Sequence, residues 1–233
     1  MSSANPDAFF HSPAYLRHNQ RRLEHLASLG LDLNGGNVLE VGAGIGDHTH
    51  FFVERQCHVT ALEARPENLR VLRARYPEIP SLEFDIDHPD PSFREEFDIV
   101  YCYGILYHLR NPGEAIEYLA KRCRRIFLLE TCVSFGEGEL TNPCSEDQDN
   151  PTQALSGTGC RPTRGWVRSR LKEHFEYVYL TVTQPDHEEF PIDWHQPANP
   201  GALIRSVFVA SRSAVCNDQL TEQVPMVQYR LQA

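Results

Sequence analysis

The chain has 233 residues, of which 41% are hydrophobic and 23% charged, a balance that indicates one globular domain of ordinary size. No apolar run approaches the ~20 residues of a membrane-spanning helix, and the polar N-terminus lacks a signal-peptide pattern, so we expect a cytoplasmic protein with no membrane partner. The formal net charge of -10 makes a nucleic-acid partner unlikely, because such partners usually require a basic surface.

Amphipathic stretches alternate with short β-rich runs along the chain. Leu16, Leu23 and Leu26 recur among polar residues, which predicts a helix over 13–29 ahead of the core. The alternation that follows predicts an α/β fold: a Rossmann-like, doubly wound and mostly parallel seven-stranded sheet. The predicted strands are 37–41, 58–63, 82–86, 97–103, 125–131, 177–183 and 206–211, and the other predicted helices are 47–55, 66–76, 112–121 and 163–174.

The last two predicted strands have no helix between them. We therefore expect an antiparallel last strand in the otherwise parallel sheet. Ligands of open α/β sheets bind beyond the carboxyl ends of the strands. The long segments 104–111, 132–162 and 184–205 should converge at that edge.

The first predicted strand continues into a glycine-rich loop, Gly42-Ala-Gly-Ile-Gly46. Glycines allow a sharp turn and a close approach of backbone to ligand, and a following helix start offers free N–H groups. The spacing is G-x-G-x-G, with Asp47 where a dinucleotide-binding loop has its third glycine. Glu40 adds negative charge ahead of the turn. This pattern suits the ammonium and sulfonium of S-adenosylmethionine better than a pyrophosphate.

Acidic residues close the next two strands. Glu63 lies about 20 residues beyond the first glycine, the spacing of a carboxylate that accepts from ribose hydroxyls. Asp85 and Asp87 end the third strand, and either one is positioned to accept from an adenine amino group. Tyr15, on the N-terminal helix, is placed to close over the methionine carboxylate.

These motifs resemble those of the class I S-adenosylmethionine-dependent methyltransferases, closely over 37–131 and more loosely over 163–211. The matching segments are 40–46, 60–63, 97–103 and 104–109. The resemblance implies S-adenosylmethionine as cofactor, an N-terminal helical lid (1–36), a methyltransferase domain (37–212) and a C-terminal tail (213–233). The cofactor-binding residues that we predict are Tyr15, Glu40, Gly42, Ala43, Gly44, Glu63, Ala64, Asp85, Asp87, Tyr103 and Gly104.

Transfer of a methyl group to a hydroxyl needs alignment of the reactants and a base near neutral pKa. His108 follows the fourth strand at the expected cofactor edge and is our first candidate base; the alternative is a histidine that only packs against the next helix. Glu130, placed by the prediction near the end of the fifth strand, is the second candidate, and the alternative there is a solvated strand end.

The acceptor side offers weaker signals. His187, Asp193 and Trp194 interleave ring side chains with an acid, which suits a saccharide-like or other small-molecule acceptor, although Trp194 could equally anchor its loop to the core. The acidic segment around Glu146 is interpreted as a solvated loop rather than a magnesium site. The seven cysteines form no Cys-x-x-Cys pair. No metal ligand is therefore predicted.

The leading hypothesis is thus a methyltransferase that acts on oxygen or nitrogen of a small-molecule or saccharide-like acceptor. Three alternatives remain open. One is an RNA-modifying methyltransferase, which the net charge disfavours. The second is a nicotinamide-dependent oxidoreductase, which Asp47 disfavours. The third is a non-catalytic cofactor-binding protein.

Overall fold

The computed structural model describes residues 6–195 and 202–230. Its centre is an eight-stranded sheet, and two two-stranded sheets lie beside it. Within the described residues no helix is both long and apolar enough to cross a membrane. The strands are β1 (Asn37–Val41), β2 (His58–Glu63), β3 (Ser81–Glu83), β4 (Phe97–Tyr103), β5 (Cys123–Val133), β6 (Pro143–Ser145), β7 (Thr158–Cys160), β8 (Tyr177–Thr181), β9 (Thr183–Gln184), β10 (Ile204–Ser211), β11 (Leu220–Thr221) and β12 (Tyr229–Arg230). The helices are α1 (Pro6–Phe10), α2 (Pro13–Ser28), α3 (Thr49–Val53), α4 (Pro66–Arg75), α5 (Pro112–Ala120) and α6 (Arg164–Lys172), with a 3₁₀-helix at Leu106–His108.

The order of strands in the main sheet is β3-β2-β1-β4-β5-β10-β8-β11. β1 to β5 are mutually parallel where they pair, and β10 runs antiparallel to both β5 and β8. The predicted α/β fold with an antiparallel last strand is confirmed. The prediction missed β11, an edge strand that pairs with β8 and comes from the segment interpreted as a tail.

The parallel strands are buried on both faces, which is why they are continuously apolar rather than alternating. Successive residues of β1 belong to different cores: Val38 packs with α2 and α3 residues such as Leu26 and Phe52, whereas Leu39 packs with α5 residues such as Ile116. Loops at the carboxyl ends of the strands therefore project from a rigid two-sided scaffold.

Helix α2 confirms the predicted N-terminal helix. Ser12 caps it by accepting from the backbone N–H of Tyr15 (3.3 Å), and Pro13 occupies the first turn. Its buried face is apolar near Leu26 but polar at His18 and Arg22. The polar half of the helix lies over the carboxyl edge of the sheet and forms one wall of a cavity.

The predicted domain boundaries include short stretches, 1–5 and 231–233, that lie outside the described residues. The acidic segment around Glu146, interpreted from the sequence as a solvated loop, lies in a hairpin whose strands are β6 and β7. The hairpin is tied to α4 because Arg65 Nη2 donates to the carbonyl of Gln148 (3.0 Å) and Asn68 Nδ2 to that of Pro151 (3.1 Å). This closes the hairpin over the cavity.

Candidate active site

A cavity of about 410 Å³ lies where the glycine loop, the ends of β2 and β4, the segment after β3, helix α2 and the β6–β7 hairpin meet. Its volume is in the range of small-molecule sites. Every residue that we predicted for cofactor binding lines it, as do His108 and His187. Glu130, Asp193 and Trp194 do not.

The glycine loop wraps over the end of β2. The backbone N–H groups of Gly42 and Ala43 both donate to the carbonyl of Leu62 (2.8 and 3.0 Å). Gly42 has a φ of +69°, and a Cβ built on it would lie 2.9 Å from the Cβ of Ile105. The turn therefore requires glycine for its backbone angle and for its close approach to the segment after β4.

We expect Gly42→Ala to lower the free energy of unfolding by about 2–4 kcal/mol, because a left-handed backbone and a steric contact act together. Gly35 is the matched control: its φ is +67° but nothing lies within 4 Å of its Cβ position. Gly35→Ala should cost only about 1–2 kcal/mol. Urea unfolding of both variants measures the difference; equal losses would show that the Ile105 contact is unimportant.

Glu63 is buried at the end of β2 and organises the loop. Its Oε2 accepts from the N–H of Gly44 (2.8 Å) and its Oε1 from the N–H of Arg65 (2.8 Å). Burial raises the pKa of this carboxyl, and these hydrogen bonds oppose the shift. Oε1 also accepts from Asn68 Nδ2 (3.4 Å), whereas Oε2 keeps a second lone pair that can accept from a hydroxyl in the cavity.

The two acids after β3 have different surroundings. Both oxygens of Asp87 accept from the N–H of Arg110 (2.9 and 3.0 Å), and one also accepts from that of Asn111 (3.0 Å). Asp87 therefore fixes the segment that follows the 3₁₀-helix. Asp85 is more exposed and pairs with His88 (2.8 Å). Since Asp85 is less committed to the protein backbone, it is the better placed of the two for a ligand.

The acids beside the glycine loop are also paired. Glu40 is buried and accepts from the Thr49 hydroxyl (2.7 Å); burial raises its pKa to about 7. A cation arriving beside it would favour the ionised form. Asp47 pairs with Arg75 (2.6 Å). The charge of Asp47 is thus partly balanced by Arg75. The missing third glycine therefore disfavours a dinucleotide more than repulsion between Asp47 and a pyrophosphate does.

His108 lies in the 3₁₀-helix after β4, where its ring borders the cavity. Its Nδ1 hydrogen-bonds Oε2 of Glu146. Glu146 also accepts from Arg161 Nη2 (3.0 Å) and from the N–H of Ala154 (2.8 Å). Burial raises the pKa of Glu146, but these partners outweigh it and lower the pKa to about 2. The ionised carboxylate only accepts, so Nδ1 carries the proton and Nε2 of a neutral His108 is left as a base.

The Nε2 atom of His108 has no hydrogen-bond partner in the described parts of the chain. Burial lowers the pKa of His108, and Glu146 opposes that shift. The imidazole is therefore neutral at pH 7 and available to accept a proton from a bound molecule. The interpretation of Glu146 as a solvated acid was wrong, because its side chain is only 4% exposed.

Glu130 requires a correction as a candidate base. It lies inside β5 rather than at its end and is fully buried. Its Oε2 pairs with Arg22 Nη2 (2.6 Å) and its Oε1 with Arg205 Nη1 (3.1 Å). Both oxygens are committed to arginines, so Glu130 joins α2, β5 and β10 and does not face the cavity. Neither arginine was singled out from the sequence.

Asp193 and Trp194 also require correction as acceptor-binding residues. Trp194 is buried; its Nε1 donates to Oε1 of Gln228 (2.7 Å), and the Arg164 guanidinium lies 3.6 Å from its ring centroid. Asp193 is exposed and pairs with His195 (2.8 Å). The alternative that this tryptophan anchors its loop fits the structure. His187, in contrast, borders the cavity beside His18.

The sequence and the fold are similar to those of known methyltransferases. A sequence profile described as "Methyltransferase domain" matches residues 39–125. The ubiquinone biosynthesis O-methyltransferase of Xylella fastidiosa (strain 9a5c) is 29% identical over 117 residues, 47% of each chain. The chain thus aligns with only about half the length of the curated relatives it matches.

Solved structures resemble the fold over most of the chain. The N-terminal domain of EvdMO1 with S-adenosylhomocysteine bound superposes with a TM-score of 0.63 at 19% identity, covering 88% of this chain and 84% of that one. A Burkholderia thailandensis 1,6-didemethyltoxoflavin-N1-methyltransferase gives 0.56 at 20% identity, covering 89% and 82%. Residues 39–125 thus match a methyltransferase domain, and these findings support the class I S-adenosylmethionine-dependent methyltransferase family that the sequence predicted.

Proposed function

We propose that this chain methylates a hydroxyl of a small-molecule acceptor, saccharide-like acceptors included, with S-adenosylmethionine as donor and His108 as general base. One observation carries the proposal: a neutral histidine with a free Nε2 borders the same cavity as the glycine loop and Glu63. The O-methyltransferase relatives support oxygen as the nucleophile.

We assign the residues of the cavity to successive parts of the donor. In this proposal Glu63 accepts from the ribose hydroxyls and Asp85 from the adenine amino group. Glu40 and Tyr15 border the end that would receive the charged methionine part. Glu40, with its pKa raised by burial, is a buried acid that a cationic ligand would stabilise in its ionised form. Structures with the related fold hold S-adenosylhomocysteine, which supports the same cofactor here.

S-adenosylmethionine, when bound, supplies an electrophilic methyl group on a sulfonium. The protein then has to align the acceptor oxygen with that methyl group and exclude water. His108 Nε2 removes the hydroxyl proton as the oxygen–carbon bond forms, and Glu146 holds the ring in the tautomer that makes this possible. The products are a methyl ether, S-adenosylhomocysteine and a proton, which leaves His108 for solvent.

The N-terminal segment acts as a lid in this proposal. The ring of Phe10 in α1 lies 3.0 Å from the Cβ position of Gly44, and Arg22 of α2 lies 2.9 Å from that of Gly104. Both helices therefore cover the cofactor loops from the solvent side. A cavity of about 410 Å³ that two helices cover in part suits a small acceptor better than a folded RNA.

The test is transfer of a labelled methyl group from S-adenosylmethionine to a panel of phenols, saccharides, amines and total RNA. Label in hydroxyl compounds supports the proposal. Label in RNA alone would overturn it. A thermal-shift series adds the cofactor: we expect S-adenosylhomocysteine, and not NAD, to raise the melting temperature.

We expect Glu63→Gln to weaken S-adenosylhomocysteine binding by about 10–100-fold, because hydrogen bonds to a charged carboxylate contribute about 1.5–3 kcal/mol. Glu83→Gln is the matched control, an exposed acid of β3 that does not border the cavity. Calorimetric titration measures both. Equal affinity in the two variants would contradict the ribose-binding role of Glu63.

A further inference from the structure

Three side chains that the proposed mechanism does not use meet on another wall of the cavity. His18 comes from α2, and His187 and Glu189 come from the segment after β9. One donor atom from each lies within 4.8 Å of the others. The centroids of the two imidazole rings are 4.9 Å apart, and Nε2 of His18 lies 3.8 Å from Oε2 of Glu189.

His18 offers an unpaired donor atom to this site. It is only 6% exposed, and its Nε2 has no hydrogen-bond partner within residues 6–195 and 202–230. A buried polar atom without a partner costs about 1–3 kcal/mol, so Nε2 requires a partner from outside the protein, such as a water molecule or a metal ion.

Charged side chains surround the site. The N–H of Glu189 donates to Nδ1 of His187 at 3.3 Å, a weak bond that a metal can replace. Oε1 of Glu188 lies 3.6 Å from the other ring nitrogen, and both Glu188 oxygens pair with Arg17. Glu189 pairs with Arg205, and Arg205 also pairs with Glu130. A metal would therefore share the Glu189 carboxylate with the Arg205 guanidinium.

We propose that His18, His187 and Glu189 form a site for one divalent transition-metal ion, with its remaining positions open to the cavity. Two imidazoles and one carboxylate favour zinc, cobalt or manganese over magnesium, which prefers oxygen ligands. Metal–ligand bonds of about 2.0–2.2 Å place neighbouring donors roughly 3–3.5 Å apart, so small side-chain rotations complete the site. An oxygen of the acceptor is the ligand that the open positions suit.

Within the described residues no other group of three histidine, cysteine or carboxylate side chains has donor atoms this close. The acids of the β6–β7 segment are engaged elsewhere: Glu146 with His108, and Asp147 with the N–H of Asp149 (3.0 Å). Within the described residues, the proposed metal site therefore lies only where α2 contacts the segment after β9.

The test is titration of the metal-stripped full chain with Co²⁺, followed by visible absorption, and with Zn²⁺, followed by calorimetry. We expect one equivalent to bind, without the intense near-ultraviolet band of cobalt–thiolate bonds. His18→Gln and His187→Gln should each weaken binding by more than about tenfold. His195→Gln is the matched control, because His195 is exposed and does not border the cavity.

Circular dichroism of the metal-free variants shows whether they fold, and His187→Gln, on a segment between strands, provides a second variant if His18→Gln does not. Binding that survives both substitutions would overturn the proposal, as would a wild-type chain that takes up no metal. Because the readout is metal binding, it is independent of methyl transfer. Loss of the proposed catalytic function would leave it unchanged.

Discussion

Replacing His108 with alanine is expected to lower kcat by about 10²–10⁴-fold, the usual contribution of a positioned general base. Binding of S-adenosylhomocysteine should be nearly unchanged, because the predicted contacts to the donor come from Glu63, Asp85 and the glycine loop. Single-turnover transfer to a hydroxyl acceptor, together with calorimetry, separates the two effects. His195→Ala, at an exposed histidine outside the cavity, should keep full activity.

The pH profile identifies the role of the histidine. Only neutral His108 can accept a proton, and burial holds its pKa below the ordinary value of 6.5. The rate should therefore be flat with respect to this group above pH 6.5 and fall as acid protonates the ring. Glu146→Gln removes the charge that raises the His108 pKa. The acidic side of the pH–rate profile of Glu146→Gln should move to lower pH, and its kcat should fall less than that of His108→Ala.

Full turnover in His108→Ala would rule out the base. A lower rate in Glu146→Gln with an unmoved acid limb would show that Glu146 only supports the fold. A nitrogen acceptor that is already deprotonated would make both substitutions mild, and this result would shift the proposal from O- to N-methylation.

Local spacing in the sequence was sufficient to bring the predicted cofactor-binding residues to one cavity. Gly42 follows β1 and Glu63 ends β2, and the parallel sheet brings the ends of adjacent strands together regardless of distant contacts. Asp85 and Asp87 showed the limit of that reasoning. Both residues follow the same strand, but only the fold determines that the N–H groups of Arg110 and Asn111 donate to Asp87.

The acid–base and ion-pair partners could not be predicted, because they are remote in sequence. Glu146 lies 38 positions from His108, and Glu130 lies 108 and 75 positions from Arg22 and Arg205. A charged residue in a polar segment is usually solvated, and nothing local distinguishes one that is buried by a hairpin. β11 was missed for a related reason: two residues are too few to show an alternating pattern.

Glu130→Leu is expected to lower the free energy of unfolding by about 3–5 kcal/mol, because it leaves the buried guanidinium of Arg22 without a carboxylate and that of Arg205 with Glu189 alone. Leucine fills much of the space of the glutamate side chain. The lost stability therefore comes more from the unpaired arginine charge than from a cavity. Glu96→Gln is the matched control. It breaks an exposed pair with Arg124 (3.0 Å) and should change stability by less than about 1 kcal/mol.

A triple variant separates the ion pairs from the fold that they hold. Combining Glu130→Leu with Arg22→Met and Arg205→Met removes all three charges, and well-packed apolar residues often replace a buried ion network without loss. We therefore expect the triple variant to unfold at a higher urea concentration than Glu130→Leu alone. If it is less stable than the single variant, the arginines stabilise the protein through their other contacts, such as that of Arg205 with the Tyr107 hydroxyl (3.0 Å). The network would then be a structural support for the cavity wall rather than a balanced set of charges.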